Sequence, residues 1–493
     1  MKTTRRSGIL MHITSLPSDE GIGTLGRGAY EFGDFLKKTG TCIWQTLPIG
    51  PTGYGESPYQ STSTFAGNPM LIDLNALFEE GILDKRPPQN TPCAHVDYQA
   101  VREEKVPLLK RAFELSYEKL KPEISAFRQK NDWVEDYALF EAVREKFDFV
   151  KWSDWPDDGI KKREKKSLEK YSEELKEAVE FNVFNQFLFD RQWEKLKFYL
   201  NVNGIKLFGD MPIYVAEDSA DTWVNPGLFR LDRDMRPVKV AGVPPDYFSA
   251  DGQRWGNPCY DWRAHKKQGY SWWVKRMKGA AQRFDIVRID HFIGFANYYS
   301  IPAECPTARE GKWKKGPGKD LFKAIKKGVP QLEIVAENLG VVNNRVKNLL
   351  KWTGYPGMNV LQFAFGADVT NGALPGNIKK QCFYYTGTHD NATTFEWWQS
   401  ASKEEKSLAK KALGLKPGDD VVDRMILAVL FSRASTAIAP MQDFLGLGAE
   451  ARMNTPGTVG GTNWRWRMSK DALTPELAAR IKKLNKQGER GIK

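Results

Sequence analysis

The chain has 493 residues, of which 41% are hydrophobic, and it carries a formal net charge of +12. Its length allows a large buried core, and no apolar run approaches the ~18 residues of a membrane-spanning helix, so we expect no membrane partner. Much of the positive charge lies in lysine-rich runs such as 161–166, which are typical of solvated helix faces, and no nucleic-acid-binding motif accompanies them. We therefore expect no nucleic-acid partner.

The cysteines and histidines show neither a disulfide framework nor a metal motif. Five cysteines are scattered without a CxxC pair, and the five histidines include no HExxH spacing. The basic N-terminal start is followed by an apolar stretch that His12 interrupts, without a small-residue cleavage site, so we expect no signal peptide. These features favour a protein of the reducing cytoplasm, and we expect no metal ion and no cofactor.

Eight short β-like runs follow one another along the chain. Amphipathic segments such as 30–39, 271–283 and 422–433 separate most of them, as a repeated βα unit requires. Eight is the number of strands in a (β/α)8 barrel. We therefore predict an α/β fold in which residues 1–493 form one TIM barrel with strands at 8–13, 41–47, 205–211, 284–290, 332–337, 359–365, 382–386 and 435–440.

The uneven spacing of these runs predicts two insertions on the barrel loops. We expect a mostly helical subdomain at about 50–200, after the second strand, and a second insertion at about 212–282, after the third. The second insertion contains a loop rich in Gly and Pro that carries Tyr247, Phe248 and Trp255 without helical periodicity. This pattern fits an aromatic loop over an active site, and the alternative is a hydrophobic staple that holds the insertion itself.

Three predicted strands end in a carboxylate beside other polar groups, namely Asp290, Glu337 and Asp390. A single aspartate at such a position is more often a loop or helix-cap residue. In closed α/β barrels, however, catalytic side chains lie where the strands end. Because three carboxylates share this placement, we expect them to face one another across a single pocket.

The neighbours of the carboxylates suggest different roles. Alternate residues of a strand point the same way, so Arg288 faces the barrel interior with Asp290 and lowers the pKa of its carboxyl, as suits a nucleophile. Glu337 follows an apolar run that raises its pKa, as expected for an acid that donates a proton near neutral pH. His389 and Asp390 remain to hold sugar hydroxyls. This set describes a retaining glycosidase mechanism.

At these residues the sequence resembles the 4-α-glucanotransferases of glycoside hydrolase family 77, also called amylomaltases or disproportionating enzymes. The resemblance spans nearly the whole chain, and the number and order of its motifs make it specific. The motifs are Ile13-Thr-Ser-Leu-Pro-Ser, Glu56-Ser-Pro-Tyr-Gln-Ser, Gly209-Asp-Met-Pro-Ile-Tyr, Pro244-Pro-Asp-Tyr-Phe, Arg288-Ile-Asp-His-Phe, Ala336-Glu-Asn-Leu-Gly, Gly387-Thr-His-Asp-Asn and Gly461-Thr-Asn-Trp-Arg-Trp-Arg.

The resemblance implies that Asp290 is the nucleophile, Glu337 the acid/base and Asp390 the transition-state stabiliser, in agreement with the residue-level interpretation. It implies no C-terminal β-domain, for which the short remainder after residue 440 leaves no room. For two of the residues that the resemblance places at the substrate, another role remains open. Arg288 could be purely structural, and Asn463 could cap the end of a strand. The substrate-binding residues that the resemblance and the aromatic loop together predict are Tyr59, Asp210, Tyr247, Phe248, Trp255, Arg288, His291, His389 and Asn463.

The expected substrates are α-1,4-glucans and maltooligosaccharides, with a segment transferred to the 4-hydroxyl of another glucan, glucose or maltose. Two alternatives remain open on the sequence alone. One is an α-amylase-type hydrolase that uses the same three carboxylates with water as the acceptor. The other is a glucan-binding protein that has lost catalysis.

Overall fold

The structure is a computed structural model that describes residues 5–90, 93–245, 250–340, 342–366 and 371–491. The strands in these ranges are β1 Arg6–Leu10, β2 Ile43–Gln45, β3 Lys206–Met211, β4 Lys239–Val243, β5 Gln253–Pro258, β6 Ile286–Ile289, β7 Asn297–Pro302, β8 Lys312–Lys315, β9 Glu333–Ala336, β10 Gly357–Val360, β11 Cys382–Tyr385 and β12 Thr436–Pro440.

The α-helices lie between and after these strands. They are α1 Arg27–Thr39, α2 Leu74–Glu79, α3 Tyr98–Lys130, α4 Val134–Lys146, α5 Asp158–Lys161, α6 Lys165–Glu174, α7 Lys176–Val202, α8 Ala220–Val224, α9 Trp262–Lys267, α10 Ser271–Arg283, α11 Lys319–Gly328, α12 Asn344–Thr353, α13 Thr394–Ser400, α14 Lys403–Leu413, α15 Val421–Phe431, α16 Met441–Phe444 and α17 Pro475–Gln487.

Eight parallel strands close into a barrel in the order β1, β2, β3, β6, β9, β10, β11 and β12. Each is one of the eight predicted runs, so the prediction of a (β/α)8 barrel is confirmed. The runs were recognisable because barrel strands are buried on both faces and read as continuous apolar sequence. Several predicted boundaries differ from the structure, and the largest error is at β10, which ends at Val360. The rest of that predicted run, Leu361–Phe365, forms a buried 3-10 helix, so its apolar residues were mistaken for strand.

Two groups of elements lie outside the barrel. Helices α2 to α7 connect β2 to β3, and the buried Lys105 of α3 donates a hydrogen bond to the buried Glu20 of the loop after β1. A charge pair of this kind ties a helix to its neighbour because separating it leaves two buried charges unpaired. Strands β5, β4, β7 and β8, in that order, form a four-stranded antiparallel sheet, which the sequence did not predict.

Within the described ranges, no helix combines the length and apolarity needed to cross a bilayer.

Candidate active site

Asp290 and Glu337 lie side by side at the carboxyl ends of neighbouring barrel strands. Strands β6 and β9 pair in parallel with Ile289 opposite Ala336, so the next residue of each strand is a carboxylate. The backbone N–H of Glu337 donates to Ile289 at 3.0 Å, and the N–H of His291, directly after Asp290, donates to Glu337 Oε2 at 2.8 Å. The register of the two strands therefore places Asp290 and Glu337 next to each other at the strand ends.

Arg288 holds Asp290 through a buried ion-pair frame. Its Nη1 donates to both carboxylate oxygens of Asp210, at 2.8 and 2.7 Å, and its Nη2 lies 2.8 Å from Asp290 Oδ1. The Asp210 side chain is fully buried, whereas that of Asp290 is 28% exposed. Burial raises the pKa of Asp210, against the opposing charge of Arg288. Asp290 is thus the carboxylate of this frame that the solvent, and hence a ligand, can reach.

Glu337 is placed to carry a proton near neutral pH. The residue is 6% exposed, and its carboxyl accepts hydrogen bonds from the N–H groups of His291 and Leu339, at 2.8 and 2.5 Å. Burial raises its pKa to about 7; the charge of Arg288 opposes this rise and the negative Asp290 adds to it. One member of the adjacent pair therefore lies against a guanidinium while the other is a buried acid.

Asp390 approaches the site from the loop that follows β11. The Asn454 amide donates to Asp390 Oδ1 at 2.6 Å, and His389 Nε2 lies 3.2 Å from Oδ2. Burial raises the pKa of Asp390, but His389 and the Asn454 hydrogen bond together lower it more, so the pKa lies well below its usual range. These two partners therefore favour the ionised form of Asp390.

Aromatic rings line this polar cluster. Tyr59 stacks on His389 with ring centroids 5.2 Å apart and planes 16° apart, and Trp464 lies within 6.0 Å of both rings. The Tyr59 hydroxyl donates to Asp210 Oδ2 at 2.8 Å. Rings with polar edges are suited to sugars, since their faces cover the apolar faces of a pyranose while the edges bind hydroxyls.

His291 has an unused hydrogen-bonding nitrogen. Its ring packs edge-on against Trp255 with centroids 4.9 Å apart, and its buried Nε2 has no partner among the described residues. Burial lowers the pKa of His291 to about 4, so the ring is neutral at pH 7. A buried polar atom without a partner is costly unless a ligand or water supplies one. This nitrogen is therefore available to a ligand hydroxyl.

The structure thus brings together most of the residues that the sequence singled out. Asn463 differs, because its Oδ1 accepts from Thr455 N at 3.0 Å and its Nδ2 donates to Thr458 Oγ1 at 2.9 Å. Its amide closes the loop 455–463, and contact with substrate stays a prediction. Trp255 lies in strand β5 and not in a loop as predicted, and Tyr247 and Phe248 lie outside the described residues.

Two neighbours of the site were missed by the sequence interpretation. Asn454 lies in an irregular segment, and the residues around it show no pattern that predicts its contact with Asp390. Trp464 adopts a left-handed backbone with φ of 67°, which is uncommon for a residue other than glycine and often marks a functional loop. Trp464 belongs to the last recognised motif, so its position carried a signal that was not used.

In the part of the chain that the structure describes, no group of three or more His, Cys, Asp or Glu side chains is placed to hold a metal ion.

Comparison with known proteins gives one consistent family. A family model described as 4-alpha-glucanotransferase matches residues 11–474. The 4-alpha-glucanotransferase of Thermus thermophilus is 46% identical, over 99% of this chain and 100% of the relative, and that of Clostridium butyricum is 45% identical, over 97% and 99%. A solved amylomaltase from Streptococcus agalactiae in complex with acarbose is 40% identical, with a TM-score of 0.96 over 99% of this chain and 100% of that chain.

Proposed function

We infer the roles of the site residues from the premise that this chain belongs to the 4-alpha-glucanotransferase family, glycoside hydrolase family 77, and is therefore a hexosyltransferase with a retaining mechanism. One observation carries the assignment. Asp290 lies against a guanidinium, and the adjacent Glu337 is a buried acid whose pKa is raised to about 7. Two carboxyls with opposite protonation states are what a double displacement at a sugar carbon requires.

In the first step Asp290 attacks the anomeric carbon of an α-1,4-linked glucose unit. Glu337 gives its proton to the departing O4, so the C1–O4 bond breaks as the C1–Oδ bond forms. Asp390 and His389 hold hydroxyls of the same sugar, and these hydrogen bonds strengthen as the ring becomes oxocarbenium-like. The step leaves a covalent β-linked glycosyl ester on Asp290 and a free glucan end.

In the second step the 4-hydroxyl of an acceptor attacks the ester carbon. Glu337, now ionised, takes the hydroxyl proton, and Asp290 leaves as a carboxylate, so the new bond again has the α configuration. The energy of the cleaved bond passes to the new one without ATP. Maltooligosaccharides and starch-like glucans serve as donors, and glucans, glucose or maltose as acceptors.

The five free cysteines support a location in the reducing cytoplasm.

If a sugar hydroxyl and not water is to be the acceptor, the protein must hold that hydroxyl in position. His291, whose Nε2 has no partner among the described residues, directly follows Asp290 and bonds Glu337 through its backbone N–H. Tyr59 and Trp464 supply ring surface beside His389. Positioning of this kind is worth several kcal/mol in favour of a bound hydroxyl over a mobile water. These contacts favour transfer over hydrolysis.

Incubation with maltotriose tests this function. We expect a ladder of longer and shorter maltooligosaccharides, because each cleavage deposits a glucosyl or maltosyl unit on Asp290 that a second maltotriose accepts. Chromatography of the products over time, with reducing ends counted in parallel, measures transfer against hydrolysis. Shorter sugars with a matching rise in reducing ends would mark an α-amylase-type hydrolase. Unchanged maltotriose would mark a glucan-binding protein without catalysis.

The pKa of Glu337 predicts the alkaline side of the pH profile. Glu337 must be protonated to assist departure, so kcat/KM should be level below about pH 7 and fall tenfold per pH unit above it. With α-maltosyl fluoride as the donor, fluoride leaves without a proton, and this alkaline fall in the first step should disappear. A fall near pH 7 that is the same for both donors would assign the titration to another group.

A further inference from the structure

Asp390 and His389 lie at the tip of a loop whose two ends meet on one buried carboxylate. The loop runs from the end of β11 to the start of α13. Thr386, the first residue after the strand, and Thr394, the first residue of the helix, are both fully buried. The hydrogen bond from Asn454 to Asp390 is made at the tip of the loop, and it does not join the two ends.

Asp443, on α16, joins the two ends. Its Oδ2 accepts hydrogen bonds from the hydroxyls of Thr386 and Thr394, at 2.6 and 2.7 Å, and its Oδ1 accepts from the backbone N–H of Thr394 at 2.7 Å. The residue is 1% exposed. The buried carboxylate therefore bridges the end of β11 and the start of α13, the two points between which the loop runs.

A buried carboxylate such as that of Asp443 lowers the stability of the fold unless a cation or hydrogen bonds replace its contacts with water. Among the residues that the structure describes, no Lys, Arg or His side chain is paired with Asp443, whose partners are Thr386 and Thr394. Burial raises the pKa of Asp443, and its three hydrogen bonds oppose that rise. A buried carboxylate without a cation is tolerated only when its oxygens are fully hydrogen-bonded, which makes the geometry of its donors rigid.

We propose that Asp443 is a positioning residue, which clamps the ends of the Thr386–Thr394 loop and so holds the Asp390 carboxylate where positive charge develops on the sugar ring. The inference rests on the proposed role of Asp390. Asp443 touches neither substrate nor reacting atoms. Because Asp390 binds the transition state more strongly than the ground state, loosening the clamp should lower kcat much more than it raises KM.

Two substitutions at Asp443 test the clamp. Asp443→Ala leaves three donors without an acceptor, and a displacement of the loop tip by about 1 Å predicts a fall in kcat on maltotriose of about 100-fold, with KM changed less than about threefold. Asp443→Asn should restore kcat to within about tenfold of the wild type, since its oxygen still accepts from the Thr394 N–H and its NH2 group can donate to both hydroxyls.

Asp73 provides a matched control. It is buried, and it accepts from the Thr24 hydroxyl at 2.6 Å and the Ala76 N–H at 2.7 Å, but it caps α2, which packs against α3. Asp73→Ala should lower Tm as Asp443→Ala does while leaving kcat within about twofold. Equal losses of kcat in the two variants at equal losses of Tm would overturn the proposal.

Milder variants keep the test decisive if Asp443→Ala does not fold. Thr386→Val and Thr394→Val each remove one hydroxyl donor and should lower kcat by up to about tenfold, again with little change in KM. A wild-type kcat in both, or in a folded Asp443→Ala, would overturn the clamp. Asp390→Asn, measured alongside, separates the two inferences: if it stays active, the proposed role of Asp390 fails, whereas if it is inactive beside a fully active Asp443→Ala, only the clamp fails.

Discussion

Replacement of Glu337 by glutamine is expected to lower kcat on maltotriose by about 10²–10⁴-fold, the usual contribution of a positioned general acid. Glutamine has nearly the size and shape of glutamic acid, but the N–H groups of His291 and Leu339 donate to different oxygens of Glu337, so the single amide oxygen can still accept from one of them. Binding should therefore survive while proton donation is lost. Steady-state kinetics on maltotriose, with the KM reported separately, measure the effect.

The leaving group distinguishes lost acid catalysis from general damage. With α-maltosyl fluoride, Glu337→Gln should give a burst of fluoride equal to the enzyme concentration, because the ester on Asp290 forms without a proton and then accumulates for want of a base. Glu333→Gln is the matched control. Glu333 begins the same strand and pairs with Arg6 at the opposite end of the barrel, so its replacement should leave kcat near the wild-type value. Absence of the burst would contradict the acid/base role.

The barrel could be predicted from the sequence because its strands are buried on both faces, and the four-stranded sheet could not. Strand β8, Lys312–Lys315, is exposed along its whole length, and β5 contains Gly256 and Pro258, which are poor strand residues. These segments form strands because they pair with β4 and β7, not because of their own pattern. Local sequence therefore locates the core elements, while tertiary pairing creates the rest.

The same division applies to the site. Asp290 and Glu337 were predictable because each follows an apolar strand, and Arg288 because alternation along β6 places it beside Asp290. The contacts of Asn454 and Asp443 could not be predicted in this way. Asn454 reaches Asp390 across 64 residues, and Asp443 reaches Thr386 across 57. Neither contact follows a helix or strand period, so only the folded arrangement reveals it.

The second large effect is expected from Asp290. Asp290→Asn should lower kcat on the order of 10⁴-fold or more, because a neutral amide cannot form the glycosyl ester. The frame around it should survive, since Arg288 keeps both hydrogen bonds to Asp210 and thus its counter-charge. Calorimetry with maltotriose should therefore give a Kd within about threefold of the Kd of the Glu337→Gln variant, which also binds without turnover.

Shortening the side chain at the same position identifies the missing group as the nucleophile. In Asp290→Ala a small anion can enter the vacated space, so azide with α-maltosyl fluoride should yield β-maltosyl azide, a product of single displacement whose anomeric configuration proton NMR reads directly. Asp285→Asn is the control: Asp285 precedes the same strand, accepts from Leu207 N at 2.8 Å and from the Asn201 amide, and should tolerate replacement. An α-azide, or turnover near the wild-type rate in Asp290→Asn, would assign the covalent step to another carboxylate, and Asp210 is too deeply buried beneath Arg288 to be that group.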